Sequence, residues 1–122
     1  GVSDQLTQVI MNLLVNSMDA LGGILGRQPT ITIKTFSQDT VVHMNIKDNG
    51  CGMDLTTQAH MFEAFYTTKA VGRGTGLGLS LCYSIMRKNG GSINIDSILD
   101  VGTRAQILFP TTEIEYIEAN CL

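Results

Sequence analysis

No apolar stretch in this chain of 122 residues approaches the ~20 needed to span a bilayer, and its first residues lack a signal-peptide pattern. The chain is therefore expected to work in the cytoplasm without touching a membrane, any anchor of a parent protein lying outside it. Cysteine is sparse: Cys51, Cys82 and Cys121 sit at unrelated spacings, which excludes a disulfide framework or zinc site and fits a reducing compartment. Charge is sparse too. Charged residues make up 16% of the chain, with 8 basic against 11 acidic side chains and a net charge of −3, which argues against a general nucleic-acid binder. Several catalytic and phosphate-binding signatures are missing. No Gly-Lys-Ser/Thr occurs, which excludes a Walker A loop. From Gly72 or Gly74, a dinucleotide fingerprint would need glycine where Leu77 or Leu79 stands. A Gly-x-Ser-x-Gly elbow and the eukaryotic protein-kinase signatures are likewise absent.

What remains is a single domain, 43% hydrophobic, long enough to bury roughly two-thirds of its unfolded surface. Residues 4–25 read as a helix with Leu6, Ile10, Leu13, Leu14, Ser17 and Leu21 on one face, ended by Gly22, Gly23, Gly26 and Pro29. Residues 30–37 and 41–47 alternate like strands around the turn Gln38-Asp39-Thr40. Residues 55–62 read as a short helix and 77–88 as a second long one, stopped by Asn89-Gly90-Gly91. Residues 92–97 and 103–109 form a hairpin around Asp100-Val101-Gly102. These elements predict a two-layer α/β (α+β) sandwich whose mixed, mostly antiparallel sheet is covered on one face by helices.

The run from Phe65 to Leu79 carries the chemistry. Thr67, Thr68 and Lys69 precede Gly72, Gly74, Gly76 and Gly78, and an apolar helical pattern follows at once. Glycines at every second position let backbone approach an anion closely. The opening helix adds unpaired N–H donors and the positive end of its dipole, and Lys69 and Arg73 add mobile charge. A solvated linker would have no use for the interleaved Leu77 and Leu79. Two other places are informative. Asn12, Asn16 and Asp19 fall at i, i+4 and i+7, a polar stripe on a helix otherwise apolar all round. Such a stripe is costly without partners, whether helix-to-loop hydrogen bonds or a ligand. Asp48 ends a strand and opens Asp48-Asn49-Gly50-Cys51-Gly52-Met53, where it could simply close an Asx turn.

Taken in order, four segments resemble the boxes of the ATP-binding catalytic domain of two-component sensor histidine kinases, which has the Bergerat (gyrase-like) fold. Residues 12–20 resemble the N box, 48–53 the first glycine box, 61–69 the F box and 72–79 the second glycine box. Gly90-Gly91-Ser92-Ile93 and Gly102-Thr103 resemble the family's last strand pair. Only Ala70-Val71 separate Lys69 from Gly72, which is similar to the short-lid, nitrogen-regulation-like subgroup. The resemblance implies a catalytic domain over residues 1–110, lacking the strand that usually precedes the N box, and an acidic tail or linker over 111–122. It thus implies a piece of a longer protein.

The resemblance also implies roles. Asn16 would be the Mg²⁺ ligand that bridges metal to triphosphate, a neutral amide oxygen suiting a cation already balanced by phosphate. Asp48 would accept the adenine exocyclic N–H, with Gly50, Gly52 and Met53 around the purine and Asp19 and Thr103 alongside. Thr67, Thr68, Lys69 and Arg73, with the backbone of Gly74, Thr75, Gly76, Leu77, Gly78 and Leu79, would hold the β- and γ-phosphates. The catalytic set would be Asn12, Asn16 and Lys69. Gyrase-like ATPases carry a water-activating glutamate at the place of Asn12, and an amide cannot act as a general base. That favours phosphotransfer over hydrolysis. Neither His43 nor His60 has the context of a phosphoacceptor. The implied acceptor is a histidine on a separate dimerisation domain, with a response regulator receiver domain downstream. Two alternatives are a non-catalytic ATP-binding regulatory module and, less favoured, a gyrase-like ATPase.

Overall fold

The computed structural model describes residues 2–63 and 78–110. It opens with helix α1 (Val2–Leu21), followed by strands β1 (Ile31–Gln38) and β2 (Val41–Asp48) and the short helix α2 (Leu55–His60). Helix α3 (Gly78–Lys88) then leads into strands β3 (Ser92–Ile98) and β4 (Gly102–Pro110). Among the described residues the four strands form one sheet in the order β1-β2-β4-β3, every pairing antiparallel. Helices α1 and α3 pack on each other and on one face of that sheet.

The core follows the two periodicities of the sequence. On α1 the buried stripe is Leu6, Val9, Leu13 and Ser17, with Ile10 and Leu14 half-buried beside it. The stripe is therefore centred nearer Val9 than the sequence pattern suggests, because α1 packs against α3 as well as the sheet. Helix α1 also stops four residues short of the expected Leu25, which is 91% exposed. Two successive glycines make further helix entropically costly, and the chain leaves by four-residue turns (Gly22 N–H to Asp19 O, 3.2 Å).

On α3 the buried residues are Cys82, Ile85 and Met86, at i, i+3 and i+4. Its end is a Schellman motif: Gly91 N–H donates to Met86 O (2.9 Å) and Gly90 N–H to Arg87 O (3.3 Å), with Gly90 at φ 75°. The sheet contributes Ile46 from β2, Ile93 from β3, and Ala105, Ile107 and Phe109 from β4. Ala105 pairs with Ile46 on one side and Ile95 on the other, so its small side chain sits between two large ones.

The register explains where the apolar face gives way. Rows Met44–Ile107–Ile93 and Ile46–Ala105–Ile95 run across the core face. The next row is Asp48–Thr103–Ser97, entirely polar. Side chains alternate along each strand, so this row shares the face that the helices cover. It marks the end of the core where polar chemistry starts.

Candidate functional site

Asp48 is the last residue of β2 and only 4% exposed. Its Oδ1 accepts the N–H of Gly50 at 2.9 Å, so the Asx turn anticipated as the plainer role of this residue is present. The chain after it is tied down from three directions. From α1, Ala20 O accepts the N–H of Cys51 at 3.0 Å. From the β3–β4 hairpin, Asp100 N–H donates to Cys51 O at 2.7 Å. From the segment after α1, Arg27 donates through Nε to Asn49 O and through Nη2 to Gly50 O, both at 2.7 Å. The Asn49 side chain completes this third tie, accepting from Thr30 N–H and donating to Gln28 O, each at 2.8 Å.

The two glycines of this loop are required by their protein neighbours. A Cβ on Gly50 would stand 2.5 Å from Ala20 O. Gly52 has φ +66°, and a Cβ there would run into Ile98 O. These glycines, which the family resemblance placed around a purine, are close approaches to the protein's own backbone.

A second network extends the site along the sheet end. Ser97 Oγ accepts the N–H of Met53 and shares a hydrogen bond with Thr103 Oγ1, both at 2.8 Å. Gln58, on α2, donates through Nε2 to Met53 O (2.8 Å) and Ser97 O (3.2 Å). Helix α2 is capped by Asp54, whose Oδ1 accepts Thr57 N–H at 2.7 Å. That hydrogen bond holds the Asp54 carboxyl below its ordinary range.

Helix α1 brings its polar stripe to the same place, since Ala20 touches Gly50 and Asn16 lies one turn earlier. Asn16 is half-buried and Asp19 exposed, and each is engaged in a further polar contact. Asn12 is half-buried beside the Cys82 thiol of α3, which donates to Val9 O at 3.8 Å. Cys82 is fully buried, and burial pushes its thiol up to about 11. The Cys82–Val9 bond joins α3 to α1 at the foot of the stripe.

Asn12, Asn16, Asp19, Asp48, Gly50, Gly52, Met53 and Thr103 accordingly fall on α1, the end of β2, the loop after it and the adjoining end of β4. Gly78 and Leu79 open α3. Leu79 packs against the core, while a Cβ on Gly78 would meet nothing within 4 Å. Phe62 also packs on the core, tilted against Tyr83 with ring centroids 5.3 Å apart. Thr67, Thr68, Lys69, Arg73, Gly74, Thr75, Gly76 and Leu77 lie outside the described residues.

The histidines are taken up in local contacts. His43 stacks on Phe36 at 4.5 Å, and His60 Nδ1 pairs with Glu63 Oε2 at 2.9 Å. Three residues that organise the loop escape the sequence pattern: Arg27, Gln58 and Ser97. Only Ser97 left a signal, being the polar member of an alternating strand opposite Thr103.

This fold and this arrangement define the class. The chain belongs to the histidine kinase-, DNA gyrase B- and HSP90-like ATPase family, whose model matches residues 1–113. Within that class its relatives are sensor kinases. It is 42% identical over 96 residues to the two-component sensor PprA of Pseudomonas aeruginosa, covering 76% of this chain and 10% of that protein. It is 37% identical over 106 residues to the signal transduction histidine-protein kinase AtoS of Escherichia coli, covering 86% of this chain and 16% of that one. Among solved structures, the catalytic domain of histidine kinase ThkA in a nucleotide-free form superposes with a TM-score of 0.72 at 28% identity, covering 88% of this chain and 67% of that one. The chain thus spans less than a fifth of the length of these two curated relatives. No helix among the described residues is long and apolar enough to cross a membrane.

Proposed function

We propose that this chain binds Mg²⁺·ATP and donates the γ-phosphoryl group to a histidine on a separate dimerisation domain, in two-component signalling. The observation that carries the reading is Asp48: a carboxylate 4% exposed, with one oxygen fixed by Gly50 N–H, at the polar end of the core. A buried acceptor held in this way can select a base that offers it an N–H and penalise one that does not.

The residues fit the group. Gly50 and Gly52 keep the loop free of side chains where it meets α1 and the hairpin, and the half-buried Asn16 stands one turn from that contact. Asn16 would hold Mg²⁺, which supplies charge neutralisation to the phosphates when bound. Lys69, Arg73 and the N–H groups of residues 74–78 would supply the rest of the phosphate cradle. In this arrangement the chain positions and neutralises and does little covalent work. Asn12 is an amide and lacks the chemistry of a base that activates water. Residues 1–110 form the catalytic domain in this reading, 111–122 a tail or linker, and a cytoplasmic receiver domain takes the phosphoryl group onward.

Calorimetric titration with a non-hydrolysable ATP analogue, with and without Mg²⁺, tests the pocket. Binding that tightens with Mg²⁺ and is lost in Asp48→Ala is the expected result. No binding by a folded wild-type chain overturns the reading. Transfer of labelled phosphate to a supplied dimerisation domain then separates a kinase from a non-catalytic module, which would bind without transferring.

A further inference from the structure

Three carbonyls of the loop after Asp48 point away from the loop's own N–H groups and need donors. Cys51 O is served by the backbone of Asp100. Asn49 O and Gly50 O are both served by one side chain, Arg27, through Nε and Nη2 at 2.7 Å each. A guanidinium is a rigid planar fork, so two short bonds to successive carbonyls fix the orientation of both peptide planes. The plane between Asn49 and Gly50 contains the Gly50 N–H, the donor that holds Asp48 Oδ1. Arg27 thus reaches the buried carboxylate through one peptide unit, without touching it.

The neighbours of Arg27 reinforce this geometry. Asn49 Nδ2 and Oδ1 clasp Gln28 O and Thr30 N–H at 2.8 Å, so residues 27–30 and 49–50 are laced by four side-chain hydrogen bonds. Residues 22–30 are all exposed or half-buried and leave few apolar contacts to fix this segment. The lacing is directed at the loop.

We infer that Arg27 is a positioning residue for adenine recognition, a fork that holds the Asn49–Gly50 peptide so that Asp48 presents its second oxygen to the base. This rests on the nucleotide reading above. The recognised chemistry is the adenine moiety, shared by adenosine and ATP, and not the phosphates. Arg27 is exposed, its bond to Asn49 O is exposed and its bond to Gly50 O is part-buried, so water entering behind a truncated side chain can take over the guanidinium's place at Asn49 O. The loop would lose its preset orientation, and binding would have to order it anew.

Calorimetry and amide exchange on the full 122-residue chain test the inference. Arg27→Ala is expected to weaken a non-hydrolysable ATP analogue and adenosine by the same factor, roughly tenfold. The Mg²⁺ dependence stays unchanged and the melting temperature stays near that of wild type. Arg27→Lys keeps the charge but cannot fork, and recovers only part of the loss. In the free protein, exchange at the Gly50 amide accelerates in Arg27→Ala while core amides such as Ile107 do not change. Wild-type affinity for both ligands in Arg27→Ala overturns the inference. So does a loss confined to the triphosphate, which would make Arg27 a phosphate contact. If the folded wild type binds neither ligand, the nucleotide reading itself fails, and the Gly50 exchange measurement still reports whether the fork holds the loop.

Discussion

Replacing Gly50 by alanine tests the joint between α1 and the loop after Asp48 more sharply than any other single change. Gly50 is not among the residues with positive φ, so alanine meets no backbone penalty there. The obstacle is steric: the new Cβ would stand 2.5 Å from Ala20 O, 2.7 Å from Ala20 C and 2.8 Å from Ala20 Cβ. Carbon contacts settle near 3.5 Å, so the loop would have to retreat by roughly 1 Å from backbone that cannot swing aside. Overpacking of this kind costs about 1–3 kcal/mol. The retreat also stretches the Cys51 N–H to Ala20 O bond, now 3.0 Å, adding about 1 kcal/mol. The sum, about 2–4 kcal/mol, should lower the melting temperature by roughly 8–16 °C for a domain of this size. Gly23→Ala is the matched control, because its Cβ meets nothing within 4 Å and its φ is not positive. There alanine should be neutral or stabilise by about 0.4–1 kcal/mol through the unfolded chain. Thermal melts by circular dichroism read both. A Gly50→Ala protein that melts with wild type would refute the packing of this loop against α1.

Other consequences are simpler to check. Ile107 is fully buried between β2 and β3, so Ile107→Ala should cost about 2–5 kcal/mol, read as a lower urea midpoint with an unchanged slope. In contrast, Met11→Ala, at a side chain 54% exposed, should stay within about 0.5 kcal/mol. Of the thiols on the described residues, exposed Cys51 should react with iodoacetamide in the folded chain and Cys82 only on unfolding, as peptide mass mapping would show. The raised Cys82 pKa sets a direction for alkaline pH. The unfolded chain loses this proton near 9.0 and the folded one near 11, so the stabilisation is whole below that window and lost as pH rises through it. Wild type should therefore lose stability between those limits faster than Cys82→Ala. Equal slopes would refute the assignment.

The fold was legible where the sequence carries a strong period and a clear stop. Strands β1–β4 and helix α3 could be placed within a residue or two, because alternation is bounded by Asp39-Thr40, Asn89-Gly90-Gly91 and the Asp100 turn. Helix α1 was less legible at its end and in its rotation. Ile24 and Leu25 continue an apolar pattern that two glycines cut off, and Val9 is buried through α3, a partner no local pattern identifies. In the site, Asp48 stood out because it ends an alternating strand and opens Asp48-Asn49-Gly50-Cys51-Gly52, whose glycines marked a special backbone. Arg27 did not stand out. It lies in a Gly/Pro-rich stretch where arginine is unremarkable, and its partners are backbone carbonyls 22 and 23 residues away. A side chain that reads only backbone leaves no complementary residue type to find.

The polar groups of the site gain their use from being already engaged. Asp48 is held by Gly50, Thr103 by Ser97, and the loop by Arg27 and Asp100. None of these interactions requires a ligand, and each has an ordinary structural reason to exist. Their joint effect is to leave the end of the core polar, ordered and unable to collapse onto its own acceptors. A ligand arriving there would not have to order the loop, which lowers the free-energy cost of binding. The structural role of these residues is therefore no argument against the functional one. For Asp48 the two separate cleanly. Asp48→Asn keeps an oxygen for Gly50 N–H and should fold as wild type does, while replacing an acceptor by a donor toward the base. Loss of ATP-analogue binding in a variant with an unchanged melting temperature would assign the second oxygen to recognition. Undiminished binding would leave Asp48 with only its turn.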